Sequence, residues 1–276
     1  MQFAINYSPE AAWLLTAGRI EVDYFKTPPW PDMIAKAQRH RPVSVHFELR
    51  AGSGKLKRTD WHAIETCLEQ TETRYVNLHL DARTTDFLSL PGKQPGKITA
   101  VTERLIEDVQ SVVGHFGRDK VMAENSPFRA KTPHGKQPET ILPEVIRSVI
   151  AETGCGLLLD VSHARISAKS LEVAPRTYMQ DLPMDHLREL HFTGIHTLEG
   201  GYLQDHLGLL DGDWEWLDWT LEQVDSGRWP AVEMLAFEYG GIGDFFADNT
   251  DIDVIAEQVP RLVERVHAAD GRPRKA

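Results

Sequence analysis

Short apolar segments recur along the chain, separated by longer segments in which apolar residues repeat every three or four positions. The short segments are typical of buried parallel strands, and the longer ones of amphipathic helices. The pattern predicts eight strands, at about 2–6, 20–25, 43–48, 75–80, 119–124, 156–161, 187–192 and 232–238. Alternating strands and helices indicate an α/β fold with a parallel sheet, and eight such units predict a single (β/α)8 TIM barrel. We expect this domain to span residues 1–268, followed by a disordered basic tail at 269–276.

Local signals set the predicted helix ends. One helix begins at Pro143 and ends before Gly154, because proline is favoured in the first turn and glycine just past the last. The last helix begins after Thr250, which has the spacing of a capping box with Asp253. Pro260 is expected to kink or split that helix, since proline lacks a backbone N–H.

A histidine or a carboxylate ends six of the predicted strands. The six are His46, His79, Glu124, Asp160, His191 and Glu238. The carboxyl ends of parallel strands meet at one edge of a barrel, so these side chains are expected to converge. Buried carboxylates need a compensating charge, and three imidazoles with three acids form a typical metal-binding set. We therefore predict a metal site, with Glu124, Asp160 and Glu238 as the candidate catalytic carboxylates and Glu238 as a ligand or a general base.

Other histidines near these strand ends are further candidates. His163 lies three residues after Asp160, and we expect it to be a ligand or a partner that orients Asp160. His206 lies in a long loop and is favoured as a ligand, while His196 and Asp205 are left open between a ligand role and none.

The predicted loops differ in length at the two ends of the strands. The connections from strand to helix are long, at 81–97, 125–139 and 193–212, whereas those from helix to strand are short. Barrel enzymes place their active sites on the strand-to-helix loops, so this asymmetry favours an enzyme. One such loop carries four basic or imidazole side chains, which would meet an anionic substrate or be solvated. They are Arg129, Lys131, His134 and Lys136.

Composition restricts the possible partners. With 30 basic and 41 acidic residues, the formal charge of −11 disfavours a nucleic-acid backbone as the main partner. No apolar run approaches the ~20 residues of a membrane span, and the N-terminal residues do not resemble a signal peptide. We therefore expect a cytoplasmic protein without a membrane partner. The two cysteines, Cys67 and Cys155, are interpreted as buried structural thiols.

Several motifs between 121 and 241 share the pattern of a known family. They are Glu124-Asn125-Ser126, the run 153–161 that contains Leu-Asp-Val, Glu189-Leu190-His191, Asp205-His206 and the late Glu238. This segment resembles the multinuclear non-haem iron-dependent oxidative enzymes, the family that includes the methanobactin-biosynthesis iron enzyme. His46 and His79 agree with two early strand-end histidines of that family. Lys26 stands after the second predicted strand, where the family would favour an acidic residue.

The resemblance implies a barrel like that of xylose isomerases and two or three iron ions. It implies oxygen-dependent modification of cysteine or another side chain in a ribosomally made peptide, with a separate partner protein for peptide recognition. The implied metal ligands are His46, His79, Glu124, Asp160, His191, His206 and Glu238.

Three other functions stay open at this stage. A sugar isomerase or epimerase would use divalent ions, with zinc or manganese as alternatives to iron, on a small-molecule substrate. A metal-dependent phosphodiesterase fits the ligands but not the charge of −11. A metal-storing or partner-binding barrel is disfavoured by the long loops. The histidine-rich set favours iron over magnesium, because magnesium prefers oxygen ligands.

Overall fold

The computed structural model describes residues 1–87, 95–129, 135–230 and 232–269 of the chain. The strands are β1 (Gln2–Asn6), β2 (Tyr24–Thr27), β3 (Val43–Val45), β4 (Leu49–Ala51), β5 (Val76–Leu80), β6 (Val121–Asn125), β7 (Gly156–Asp160), β8 (Leu187–Phe192), β9 (Gly194–Thr197), β10 (Leu203–Leu207) and β11 (Met234–Phe237). The helices are α1 (Pro9–Thr16), α2 (Pro31–Ala37), α3 (Trp61–Gln70), α4 (Pro95–Phe116), α5 (Pro143–Thr153), α6 (Val161–Ser170), α7 (Pro175–Gln180), α8 (Asp211–Asp225), α9 (Asp244–Asn249) and α10 (Ile252–Ala269).

The chain divides into two compact units. The first contains Met1–His46, Glu65–Thr73 and the described part of Arg188–Ala276. Its parallel sheet has the order β3-β2-β1-β11-β8. The next two strands after β8 in the sequence, β9 and β10, form a separate antiparallel hairpin. The second contains Phe47–Ile64 and Arg74–Leu187, with the parallel order β7-β6-β5-β4. The prediction of one domain over 1–268 stays a prediction.

All eight predicted strands overlap an observed strand, and the differences are confined to a few places. β2 begins at Tyr24 rather than at residue 20, so Lys26 lies inside this strand instead of after it. β4 and the β9–β10 hairpin were not predicted. These three elements are only three to five residues long, which is too short for a clear alternation of apolar and polar positions.

The helices follow the apolar periodicity of the sequence. In α4 the positions Val101, Leu105, Val109 and Val112 are fully buried, and their spacing of three or four residues places them on one face. Apolar residues of α5 repeat in the same way, and these two helices pack against each other in the second unit. α5 has the predicted bounds, and Gly154 follows it in the left-handed conformation with φ 68°.

The last helix is not split at Pro260, and its cap differs from the predicted one. α10 continues through Pro260 without a break, because Ile255, Val259 and Leu262 are buried along its length while Pro260 is exposed. The cap is also different from the expected one. The carboxylate of Asp251, one residue later than Thr250, accepts the backbone N–H of Asp253 at 2.8 Å.

Both cysteines are free and buried, as expected, and burial raises the pKa of each thiol. Within the described residues, no helix has the length and apolar character needed to cross a membrane.

We predict that Gly154→Ala lowers the free energy of unfolding by about 1–2 kcal/mol, the usual cost of a left-handed conformation for a residue with a Cβ. The added Cβ would also lie 3.2 Å from Cδ of Arg118. Gly212→Ala is the control, because Gly212 lies within α8 and a Cβ there meets no atom within 4 Å. Urea denaturation measures both, and an equal loss of stability in the two variants would contradict the prediction.

Candidate metal centre

The second unit brings together predicted ligands from neighbouring strands. His79 on β5 pairs in register with Glu124 on β6, so the two side chains lie on the same face of the sheet. Nε2 of His79 is 3.2 Å from Oε2 of Glu124. The carboxylate of Glu124 is fully buried, whereas about a quarter of the His79 side chain is exposed.

Asp160 and His163 complete this group at the junction of β7 and α6. Oδ1 of Asp160 caps α6 by accepting the backbone N–H of His163 at 2.7 Å. Nδ1 of His163 lies 2.9 Å from the carbonyl oxygen of Asn125, and its Nε2 lies 3.6 Å from Oδ2 of Asp160. The Asn125 amide also exchanges two hydrogen bonds of 2.9 Å with the backbone of Asp160. Sequence reasoning assigned no role to Asn125.

This group fits a divalent cation. Glu124, Asp160 and His163 each offer a ligand atom, and the three atoms lie within 4.8 Å of one another. Two ligands at about 2.1 Å from one ion are separated by at most about 4.2 Å, so only small movements are required. Two carboxylates this deeply buried repel each other, and a bound cation is the usual compensation.

The first unit holds a second group around Glu238, which directly follows β11. Oε1 of Glu238 is 2.9 Å from Nδ1 of His191 and 3.9 Å from Nδ1 of His46. These three residues also offer ligand atoms within 4.8 Å of one another. His46 directly follows β3, and His191 lies on β8, as the strand-end pattern predicted.

His206 reaches the same carboxylate from the β9–β10 hairpin. The pairing of β10 with β9 shifts between Gln204 and Leu207, and His206 there has a φ of 58°. Its backbone N–H donates to Oγ1 of Thr193, and its Nδ1 lies 3.7 Å from Oε2 of Glu238. A left-handed residue other than glycine is strained, and such strain is concentrated at functional sites.

Two further buried groups extend the first-unit cluster, and sequence reasoning gave neither a role in the site. Nζ of Lys26 lies 2.5 Å from Oε1 of Glu189. The same oxygen lies 2.9 Å from Nε2 of His191. Glu189 and His191 are two residues apart on β8, so their side chains share a face of the sheet. The signal available in the sequence was Lys26 itself, a cation within an apolar strand that needs a buried anion.

In this cluster, each buried charged group has a neighbour of opposite charge that offsets the cost of its burial. Burial alone would raise the pKa of Glu189, but the charges of Lys26 and His191 lower it to about 2. Burial would likewise lower the pKa of His191, yet the neighbouring Glu238 and Glu189 raise it to about 10. Burial raises the pKa of Glu238 too, but His191, His46 and His206 hold it well below its ordinary value. Glu238 is therefore a carboxylate at neutral pH.

The remaining candidates lie on the β9–β10 hairpin and on the loop after β6. Nε2 of His196 lies 2.8 Å from the carbonyl oxygen of Gly208, and Asp205 is buried on β10. Lys136 pairs with Asp81, at 3.7 Å from Nζ to Oδ2. Arg129 is half-buried in the same loop, whose predicted members Lys131 and His134 lie outside the described residues.

We predict that Asp160→Asn and His191→Ala each lower the metal content by at least one ion per chain. Asparagine is chosen at 160 because its side-chain oxygen still caps α6, which separates metal binding from helix stability. The measurement is elemental analysis after anaerobic loading with iron(II) and removal of unbound metal. The melting temperature should also fall, because a metal bound only by the folded state stabilises it.

His115→Ala is the control for this experiment. His115 is exposed at the end of α4, where its ring stacks on Trp61. This variant should keep its full metal content. Full metal retention in both ligand variants would show that the assignment is wrong.

Sequence comparison identifies bacterial relatives of moderate similarity. A UPF0276 protein of Caulobacter sp. (strain K31) is 29% identical over 145 residues, covering 50% of this chain and 49% of the relative. A UPF0276 protein of Rhizobium meliloti (strain 1021) is 28% identical over 172 residues, covering 59% of this chain and 52% of the relative. The chain thus spans about half the length of the relatives it matches.

Structure comparison establishes the fold. D-psicose 3-epimerase with D-fructose aligns with a TM-score of 0.52 and 11% identity over 98% of this chain and 100% of the epimerase. The IOLI protein with a bound zinc atom aligns with a TM-score of 0.56 and 12% identity over 98% and 99% of the two chains. The 3-keto-D-glucoside 4-epimerase of E. coli gives 0.54 and 13% over 97% and 99%. The prediction of an α/β barrel of the xylose-isomerase-like TIM type is confirmed.

A family model agrees with the resemblance found in the motifs. It matches residues 20–226, well over half of the chain, and is described as "RiPP precursor modification enzyme MbnB/TglH/ChrH". The match contains seven of the eight predicted ligands, from His46 to His206, and ends before Glu238. The chain belongs to the MbnB/TglH/ChrH family of RiPP precursor modification enzymes.

Proposed function

We propose that this protein is a multinuclear non-haem iron enzyme that uses oxygen to modify a side chain of a ribosomally made peptide. The observation that carries the proposal is the group of His46, His191 and Glu238. Two imidazoles and one carboxylate with open positions form the typical ligand set of iron(II) enzymes that use oxygen. Membership of a peptide-modifying family supports the peptide as substrate.

A second ion is assigned to Glu124, Asp160 and His163, with His79 beside Glu124. This set has two carboxylates, whereas the first set has one. The ion bound here would therefore have a more anionic set of ligands. His206 is the further ligand on the Glu238 side, and its unusual backbone conformation directs the imidazole to that carboxylate. The proposed ligands are therefore all eight predicted residues.

Bound iron would supply one-electron chemistry with oxygen at a substrate group such as a cysteine thiolate. The chain's own residues would bind the iron and orient the substrate. His191 is fully buried, whereas His46 and His206 keep 18% and 25% of their side chains exposed. The first-unit group is thus open on the side of these two imidazoles, where a peptide side chain can enter.

The carboxylates differ in the role that their surroundings allow. The low pKa of Glu238 makes it a poor proton acceptor and a good anionic ligand. Glu124 and Asp160, with His163 between them in the second-unit group, are proposed as the other catalytic carboxylates. A separate partner protein is proposed to present the peptide, and the protein is proposed to act in the cytoplasm. The charge of −11 disfavours nucleic acid as a partner.

We predict that the protein purified without oxygen and loaded with iron(II) changes the mass of its precursor peptide when oxygen is added. Mass spectrometry of the peptide, with and without its partner protein, gives the measurement. Protein loaded with zinc should be inactive, because zinc has no redox chemistry. The His115→Ala variant loaded with iron is the positive control.

Two outcomes would contradict this proposal. Purified protein that holds only zinc and gains no activity with iron(II) and oxygen would exclude an oxidative iron enzyme. Activity on a sugar with cobalt or manganese and without oxygen would instead favour an isomerase or epimerase, the chemistry of two of the structurally similar proteins.

A further inference from the structure

Four buried groups in the first unit form a row of alternating charge. Nζ of Lys26 faces Oε1 of Glu189 at 2.5 Å, and the same oxygen faces Nε2 of His191 at 2.9 Å. Nδ1 on the other side of the imidazole faces Oε1 of Glu238 at 2.9 Å. The side chains of Lys26 and Glu189 are only 3% and 6% exposed, so neither charge is compensated by water.

The ring of His191 has the opposite orientation to the rings of two other candidate ligands, His163 in the second unit and His206 in the first. His163 directs Nδ1 to the backbone carbonyl of Asn125 at 2.9 Å, and His206 directs Nδ1 to the carbonyl of Glu238 at 3.2 Å. A carbonyl oxygen accepts only, so Nδ1 carries the proton in both and Nε2 is the atom left for a metal. His191 is different, because the ring nitrogen that faces an acceptor outside the proposed ligand group is Nε2. That acceptor is the carboxylate of Glu189.

An imidazole that binds a metal has lost one proton, so it has one N–H and one nitrogen with a lone pair for the metal. If Nε2 donates to Glu189, then the lone pair is on Nδ1, which is the atom that faces Glu238 and belongs to the group with His46. A carboxylate behind a metal-binding histidine is a common arrangement, and it fixes both the tautomer and the ring orientation.

Lys26 holds Glu189 in the position in which it can orient the imidazole of His191. Glu189 can accept from Nε2 only while one of its oxygens is held facing the imidazole. The ammonium group of Lys26 stabilises the charged form of Glu189 against the cost of burial. Since both partners bond the same oxygen, Lys26 also fixes which oxygen faces the imidazole.

We propose that Lys26 and Glu189 are positioning residues that make His191 bind its metal through Nδ1, unlike His163 and His206, which present Nε2. This inference rests on the proposed metal centre but not on the proposed reaction. It gives a reason for a lysine on β2, the position where an acidic residue was expected. Neither residue is assigned as a ligand.

The test uses zinc as the probe and the full chain labelled with 15N at histidine. Zinc is diamagnetic and needs no oxygen, peptide or partner, so the result is independent of the reaction. The His191→Gln variant assigns the His191 signals. In the zinc-loaded wild type we expect a metal-bound Nδ1 and a protonated Nε2 at His191, and the reverse pattern at His163.

Variants separate the roles of charge and hydrogen bonding. Lys26→Met should weaken zinc binding about 10- to 100-fold, the usual effect of removing such a support, and should mix the two tautomers of His191. Glu189→Leu should do the same. Glu189→Gln should restore the Nδ1 signature, because Lys26 still holds the amide oxygen towards Nε2. A merely structural role for Glu189 would not predict this difference between glutamine and leucine.

Lys97→Met is the matched control, since Lys97 pairs with the buried Glu139 at 3.8 Å in the second unit. It should leave zinc affinity and the His191 signals unchanged. Zinc bound through Nε2 of His191 in the wild type would overturn the proposal, even if the lysine variants fail to fold. Unchanged affinity and signals in folded Lys26→Met would overturn it as well.

Discussion

The buried ion pair between Lys26 and Glu189 is the constraint on which the first unit depends. Burying either charge alone would cost several kcal/mol, so the two must be brought together as the chain folds. Two strands, β1 and β11, separate β2 from β8 in the sheet. In a flat sheet this is about 14 Å between the outer strands. A direct contact of 2.5 Å therefore requires a curved sheet with both side chains on its concave face.

The same concave face collects the imidazoles. His191 is two residues from Glu189 on β8, and Glu238 directly follows β11, the neighbouring strand. Register thus places a cation, an anion, an imidazole and a second anion in one row. The second unit uses the same principle with different residues, because His79 and Glu124 are paired in register on adjacent strands. In both units a buried carboxylate holds imidazoles that keep part of their surface exposed.

The sequence offers the strand-end candidates because their signal is local. A histidine or carboxylate after three or four apolar residues can be recognised without knowledge of the fold, and parallel topology then places such residues at one edge. The β9–β10 hairpin was missed, although it carries His206, since its strands have no clear alternation. Pro260 shows the opposite failure. Its local preference predicted a kink or a split in α10, and the helix is not split because the packing of Ile255, Val259 and Leu262 outweighs that preference.

By itself, the sequence determined the α/β class, the eight strands of the barrel, the set of candidate ligands and the resemblance to an iron enzyme family. Only the tertiary structure decided which atoms face each other. Lys26 and Glu189 are 163 residues apart in the chain, and no periodicity relates positions at that distance. The ring nitrogen that each histidine offers is likewise decided by its neighbours, because the side chain itself offers two.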